Sequence, residues 1–292
     1  MTGKRLLCLS LFASLLFAAL AREPRAHHAA AHDEGKMQPL NVVWPSWMGR
    51  QRLEEMKVKE NSSPGKYYSQ SKEDSTAEDH YFHNLHGGIF LEMGALDGVI
   101  YSNTKFFEDT RGWRGLLIEP KEEAFRALAG NRPNSLALNA AVCSEKKDVH
   151  FVTHGNWAVS GIWEFMDASF KEEWYDTAEK LPESAKKLPC LPLGEILGMF
   201  SIQRIDFFSL DVEGAELEVL KTLDFSRVRI NVIAIEADDR NSQKDEAVRK
   251  LVLAHGFELD RSFSNQEAGK RNDWFVNKRF RPSVAPDALE SV

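Results

Sequence analysis

The chain has 292 residues, 43% of them hydrophobic and 10% aromatic, enough to bury a sizeable core in one main domain. Its net charge of -7 leaves no basic footprint of the kind that drives binding to a phosphate backbone, so nucleic acid is not an expected partner.

Residues 1–21 carry Lys4 and Arg5, an apolar run from Leu6 to Ala21, and the small-residue pattern Ala19-Leu20-Ala21. That is the layout of a secretory signal peptide cleaved after Ala21, or of a signal anchor if it is kept. The run is short for a span of roughly 20 residues, so membrane association is expected only of an uncleaved anchor. Either reading sends the chain into the secretory pathway, to the lumen of the endoplasmic reticulum or Golgi or to the outside. Cys8 lies in this segment, which leaves Cys143 and Cys190 as one disulfide of an oxidising compartment or as two buried thiols. Asn61-Ser62-Ser63 is a glycosylation sequon that fits the same compartment.

Residues 22–79, rich in charge, Ser, Ala and His, read as a flexible leader or stalk. His27, His28 and His32 there suit a solvated linker, and no metal-ligand set is expected. The apolar patch around Trp44 and Trp47 suits docking onto the domain that follows. From 80 to 282, short apolar runs alternate with helix-like segments: "GIFLEM", "RGLLIEP" before "KEEAFRALAG", "IDFFSLDVEG" before "AELEVLKTL", and "INVIAIEA" before "SQKDEAVRKLVLAHG". This rhythm predicts an α/β fold, a doubly wound, mostly parallel Rossmann-like sheet with helices on both faces. Residues 153–200, with Trp157, Trp163 and Trp174, read as a helical insertion that shapes a substrate mouth or forms a lid. Residues 283–292 read as a tail.

In such sheets ligands sit at the carboxyl ends of the strands, beside the switch point. That rule selects Glu92, Glu119, the stretch 139–142, Asp211 and Glu236. A strand-end carboxylate is costly unless it is paired, so a ligand with hydroxyls or a cation is expected. The turn Gly94-Ala95-Leu96-Asp97-Gly98 lacks the spacing of a dinucleotide fingerprint or a P-loop. It suits a nucleoside without phosphates, with Glu119 accepting from the ribose hydroxyls. Asp97 before Gly98 reads as a turn residue.

The stretches "FLEMGALDG", "SNTKFFEDTRGWRGLLIEP", "LNAAVC" and "IDFFSLDVEGAELEVL" together resemble the FkbM family of S-adenosylmethionine-dependent methyltransferases, with the motif Asp211-Val212-Glu213-Gly214-Ala215-Glu216 intact. The resemblance implies a class I methyltransferase fold and S-adenosylmethionine as cofactor. It implies cofactor contacts from Glu92, Gly94, Ala95, Gly98, Asn103, Glu119 and Ala141, with Glu92 fixing the glycine turn and facing the methionine end. Ser102 and Asn103 suit either the cofactor carboxylate or a helix cap. Leu96 departs from the polar residue usual at its position.

Asp211, Glu213 and Glu236 fall where acceptor-facing groups belong, with Asp211 as base for a sugar or other hydroxyl acceptor. His154 lies in the insertion. Glu216, in the first turn of a helix, suits that helix's positive end. "SNT" and "CLPL" look most like a Star-like secretory-pathway branch of the family. That likeness implies an alternative, a non-catalytic trafficking protein on the same fold with secretory cargo as partner. A nucleotide-sugar transferase would want an Asp-x-Asp motif, whose spacing Asp238-Asp239 lacks.

Overall fold

The apolar runs of the sequence become the strands of one sheet, buried on both faces. The computed structural model describes residues 37–45, 65–154, 160–166, 168–177, 179–237, 241–264 and 272–284, all within the unit Met37–Val292. In chain order the elements are β1 (Asn41–Val43), α1 (Glu73–His80), β2 (Ile89–Met93), α2 (Lys105–Arg111), β3 (Arg114–Ile118), α3 (Glu122–Asn131), β4 (Leu136–Asn139), β5 (Ala141–Val142), β6 (Lys147–Val152) and β7 (Gly161–Ile162). They continue with α4 (Ala168–Tyr175), β8 (Lys186–Leu191), α5 (Leu193–Met199), β9 (Arg204–Leu210), α6 (Glu216–Lys221), β10 (Arg229–Glu236), α7 (Ser242–Ala254), β11 (Phe257–Leu259) and β12 (Asn272–Asn277).

The main sheet runs β1-β4-β3-β2-β9-β10-β12-β11. Its centre, from β4 to β10, is parallel; β1, β12 and β11 join antiparallel at the flanks. The chain winds outward from β2 to β4 on one side and from β9 to β10 on the other, which puts the switch point between β2 and β9. This is the Rossmann-like order of class I methyltransferases. Because side chains alternate across a strand, Ile89, Leu91 and Met93 enter one core while Phe90 enters the other. The second core is aromatic: Phe207 stacks on Trp274 with ring centroids 5.8 Å apart. Burying each such side chain stabilises the fold by roughly 1.5–3 kcal/mol.

The leader expected over 22–79 is ordered wherever it is described. Asn41–Val43 pairs with β4, Trp44 meets Phe200 edge-on at 5.4 Å, and Glu73–His80 is helical. The domain therefore draws on residues well before 80. Helix α1 escapes a periodicity search because four of its eight residues are acidic, and it is held by polar contacts: Asp74 accepts from the backbone N–H groups of Tyr68 and Ser69 and from the Ser69 hydroxyl. The signal segment, His27, His28, His32, Trp47, the Asn61 sequon, Trp157 and Asp238-Asp239 lie outside the described residues. In the expected tail, Ser283 donates its N–H to the Tyr81 carbonyl and accepts at its own carbonyl from His83 N–H.

The insertion is less helical than its sequence suggests. Strands β5, β8, β6 and β7 form a second, four-stranded sheet, and α4 is the longest helix among its described residues. Alternation in "KKLPCL" is interrupted by Pro189, which hides the strand from a pattern reading. The small core of this sheet includes Val149, Phe151 and Leu188. Cys143 and Cys190, 47 residues apart in sequence with Cα atoms 5.8 Å apart, form a disulfide across it, which decides between the two readings of that pair. Closing a loop of that length restricts the unfolded chain, so replacing both with serine is expected to cost about 2–4 kcal/mol. Denaturant unfolding of Cys143→Ser/Cys190→Ser against the parent checks this; an unchanged midpoint would mean that the bridge adds no stability.

Candidate active site

A cavity of about 380 Å³ opens at the carboxyl ends of β2, β3, β9 and β10 and is walled on one side by the small sheet. One half is built by the turns after β2 and β3. Gly94 has φ +77°, and a Cβ there would stand 1.9 Å from the Asp211 carbonyl oxygen, so only glycine lets the ends of β2 and β9 close together. Leu96, also left-handed at φ 48°, points its N–H at Glu119 Oε2 (2.8 Å), and Lys121 N–H reaches Oε1 (2.8 Å). Burial pushes the Glu119 carboxyl up to about 7, against the pull of those two N–H groups. Each carboxylate oxygen can accept a further bond, so Glu119 remains able to take ribose hydroxyls.

Behind this turn lies a buried ion network. Arg132, at the end of α3, is 1% exposed. Its Nε donates to Glu108 Oε2 (2.9 Å), Nη1 to the Gly98 carbonyl and Ser102 Oγ (both 3.1 Å), and Nη2 to Thr104 Oγ1 (3.1 Å). Glu92 Oε2 lies 3.8 Å from Nη1. Glu92 accepts in turn from Ser102 Oγ (2.9 Å), Asn103 N–H (2.8 Å) and the Thr104 hydroxyl. Burial raises the Glu92 carboxyl while Arg132 lowers it. The expectation that Glu92 fixes the glycine turn is thereby corrected: its oxygens hold the 102–104 segment, and the turn is held by Glu119. Asn103 is placed by this segment, its Nδ2 donating to Ser209 Oγ (2.8 Å).

The other half of the cavity is acidic. Asp211, one residue past β9, donates its N–H to the Met93 carbonyl (3.3 Å), which sets it against the end of β2. Its carboxyl stands beside Glu236 at the end of β10, and the two bring oxygens within 4.8 Å of each other. The Asp211 carboxyl is pushed up to about 7, first by burial and then by repulsion from Glu213 and Glu216. Water reaches it from the cavity while protein crowds its other sides, so the desolvation is partial. Asp211, Glu213 and Glu236 each bring an oxygen within 4.8 Å of the others. Among the described residues they are the one group of three or more acids, histidines or cysteines placed to share a cation, where the sequence suggested no metal ligands. Glu213 itself is left-handed at φ 52°, a conformation held by Glu216, whose Oε1 accepts from Val212 and Gly214 N–H (3.2 and 3.0 Å). Lys244 pairs with its other oxygen at 2.7 Å. Opposite this floor stand Phe151, Ile162 and Phe165 of the small sheet and the turn after it.

Glu92, Gly94, Asn103, Glu119, Ala141, Asp211, Glu213 and Glu236 thus line one cavity. Ala95 and Gly98 do not. Ala95 is in the aromatic core, and Gly98 lies under α3, where a Cβ would meet Leu128 and Arg132 at 2.5 and 2.6 Å. Asp97 is a turn residue, its Oδ1 accepting from Val99 and Ile100 N–H. His154 packs among Trp174 and Tyr175, outside the cavity lining. Arg132, Ser209, Lys121 and Gln70 escaped the sequence reading. Ser209 carried a usable signal, since it lies two residues before Asp211 on the same strand.

Residues 92–259, more than half of the chain, match the family model described as the methyltransferase FkbM domain. The AMB antimetabolite synthetase AmbE of Pseudomonas aeruginosa is 24% identical over 191 residues, 61% of this chain, which spans only 8% of that protein. Among solved structures, Aeropyrum pernix fibrillarin with natively bound S-adenosyl-L-methionine is 12% identical, with a TM-score of 0.38 over 77% of this chain and 83% of that one. M. capricolum TrmK in complex with S-adenosyl-homocysteine is 8% identical, with a TM-score of 0.37 over 77% and 75%. These structural likenesses are weak, and the strand order itself identifies the fold.

Two outcomes are expected. On the expectation that ribose hydroxyls donate to the ionised form of Glu119, binding favours loss of its proton and cofactor affinity rises with pH through about 7. If only the ionised form binds, affinity for S-adenosylhomocysteine is about tenfold tighter at pH 8 than at pH 6, by calorimetry, and Glu119→Gln removes the dependence. The sign for stability is opposite: a raised carboxyl favours the ligand-free fold at low pH, and that contribution fades as pH rises through about 7. Arg132→Met leaves two buried carboxylates without their cation and is expected to cost about 3–5 kcal/mol; a loss below about 1 kcal/mol in denaturant unfolding would show that other groups hold the network.

Proposed function

This chain belongs to the FkbM methyltransferase family, and from that premise we propose that it is an S-adenosylmethionine-dependent O-methyltransferase acting on an uncharged hydroxyl acceptor, a sugar or glycan being the class that fits best. The observation that carries this reading is the pair of neighbouring carboxylates Asp211 and Glu236, set against the glycine turn in a cavity that Phe151 and Phe165 also line. The residues present fit the cofactor: Gly94 lets the ends of β2 and β9 close together at the floor of the cavity, and Glu119 offers lone pairs at the end of β3. When bound, that cofactor supplies an electrophilic methyl group on a sulfonium sulfur.

The protein's own part is alignment and proton removal. Asp211, its carboxyl raised by its surroundings and so a better base than a free carboxylate, takes the proton of the acceptor hydroxyl. Glu236 orients Asp211 and spreads the charge. Phe151 and Phe165 offer apolar faces to the C–H side of a ring, while the acids take its hydroxyls. Anionic acceptors are disfavoured by the same acids. We further propose a secretory-pathway location; the signal-like residues 1–21 and the Cys143–Cys190 disulfide support it.

Asp211→Asn removes the base and is expected to lower methyl transfer at saturating cofactor by about 10²–10⁴-fold, measured as labelled methyl moved onto a panel of neutral glycosides. If the folded parent binds cofactor yet methylates none of a broad panel of sugars and other hydroxyl compounds, the non-catalytic Star-like reading takes its place, with secretory cargo as the partner.

A further inference from the structure

The charges around the cavity are not distributed evenly. On the cofactor side each acid is already answered: Glu92 by Arg132, and Glu119 by two backbone N–H groups with Lys121 alongside. Around Asp211, among the described residues, acids outnumber cations, and Lys244 of α7 is the cation that bears on Glu216 and Glu236. Glu213 follows on the same loop, Glu216 stands on α6, Glu236 ends β10, and Glu73 projects from α1. Lys244 of α7 pairs with Glu216 at 2.7 Å, and Asn272 of β12 donates to Glu73 at 2.7 Å. Repulsion from Glu213, Glu216 and Glu73 bears on the Asp211 carboxyl, so a positive charge delivered beside it gains from all of them. The Asp211 backbone touches the Gly94 turn, which places this carboxylate where the two halves of the cavity meet.

We propose that Asp211, backed by Glu213 and Glu236, reads the charge on the cofactor's sulfur: the site holds the sulfonium of S-adenosylmethionine and releases the uncharged thioether of S-adenosylhomocysteine. This rests on the cofactor assignment, and it assigns Asp211 a selective role separate from proton removal. The consequence is a site that resists inhibition by its own product, because methyl transfer removes the charge that the floor recognises. Charge selection of this kind acts on the difference between two ligands of nearly identical shape, so contacts to ribose, adenine and the amino acid end cancel.

The test is a ratio of dissociation constants measured calorimetrically at pH 8 on the full chain, with a chelator present so that no divalent ion screens the acids. Three probes are used: S-adenosylmethionine, S-adenosylhomocysteine, and an analogue with an amine in place of the sulfonium. In the parent the two cationic ligands are expected to bind about tenfold or more tighter than the thioether, the scale of one nearby ion pair at an intermediate dielectric. In Asp211→Asn the preference falls to within about threefold, while affinity for S-adenosylhomocysteine, which reports a folded pocket, stays within about twofold. Glu213→Gln lowers the preference in part. Equal affinity in the parent, or a preference that survives in Asp211→Asn, would overturn the proposal. Failure of a folded parent to bind any of the three overturns it together with the cofactor assignment. A preference that holds in a protein inactive towards every hydroxyl acceptor supports it and removes only the proposed acceptor chemistry.

Discussion

The geometry of the cofactor side depends on one buried cation. Arg132 comes from the end of α3, crosses beneath the glycine turn and binds two carboxylates, two hydroxyls and a carbonyl. A guanidinium suits this position because its planar fork presents five donors at fixed angles, which an ammonium does not. Removing a cation and two acids from water is expensive, and the compensation is four hydrogen bonds from Arg132 with Glu92 alongside. In return the loop from Gly98 to Thr104 is anchored at Gly98, Ser102, Asn103 and Thr104. Asn103 reaches Ser209 because that loop is fixed, so the network ties the turn after β2 to strand β9 across the switch point.

At the same switch point the backbone is held in conformations that other residue types would leave. Leu96, Tyr101 and Glu213 are all left-handed, none is glycine, and all three line the cavity. Such conformations persist only where surrounding contacts over-determine them, and they cluster at functional sites. Here the contacts are visible: Glu119 holds the Leu96 N–H, Glu216 holds the N–H groups on either side of Glu213, and Ser69 bridges Tyr101 from the segment before α1. Two carboxylates thus act as templates for the loops that carry the pocket, so acids at strand and helix ends have structural as well as chemical work.

The central strands were legible in the sequence because burial on both faces writes them as continuous apolar runs, as in "FFSL" and "INVIAIE". Strand-end acids were legible for the same reason: a carboxylate ending an apolar run stands out, and Glu119, Asp211 and Glu236 all reach the cavity. What escaped was held by long-range polar contacts. Arg132 reads as an ordinary charge at a helix end, and nothing local shows that its partners are Glu108 and Glu92. Helix α1 shows almost no amphipathic pattern, since it is anchored through Asp74 and Glu73 and not through an apolar stripe. Strands β7 and β8 of the small sheet fell in the stretch read as helical because they are short or interrupted. Gly98 was assigned to the cofactor on the family resemblance, whereas its missing side chain makes room for Leu128 and Arg132.

The two halves of the cavity solve opposite electrostatic problems with the same residue type. On one side, acids must accept hydrogen bonds from neutral hydroxyls without adding a field that repels ligand, and each is neutralised locally by N–H groups or by Arg132. On the other side, the field itself is useful. A sulfonium carries a full charge that vanishes when the methyl group leaves, and a hydroxyl acceptor loses a proton in the same event. On the function proposed, a floor of carboxylates that includes Asp211, its carboxyl raised by its neighbours, favours the charged cofactor before transfer and accepts the proton during it. The disulfide-bonded small sheet completes this arrangement by presenting Phe151, Ile162 and Phe165 across from the acids. Its apolar face lowers the local dielectric, which strengthens every charge interaction on the floor it covers.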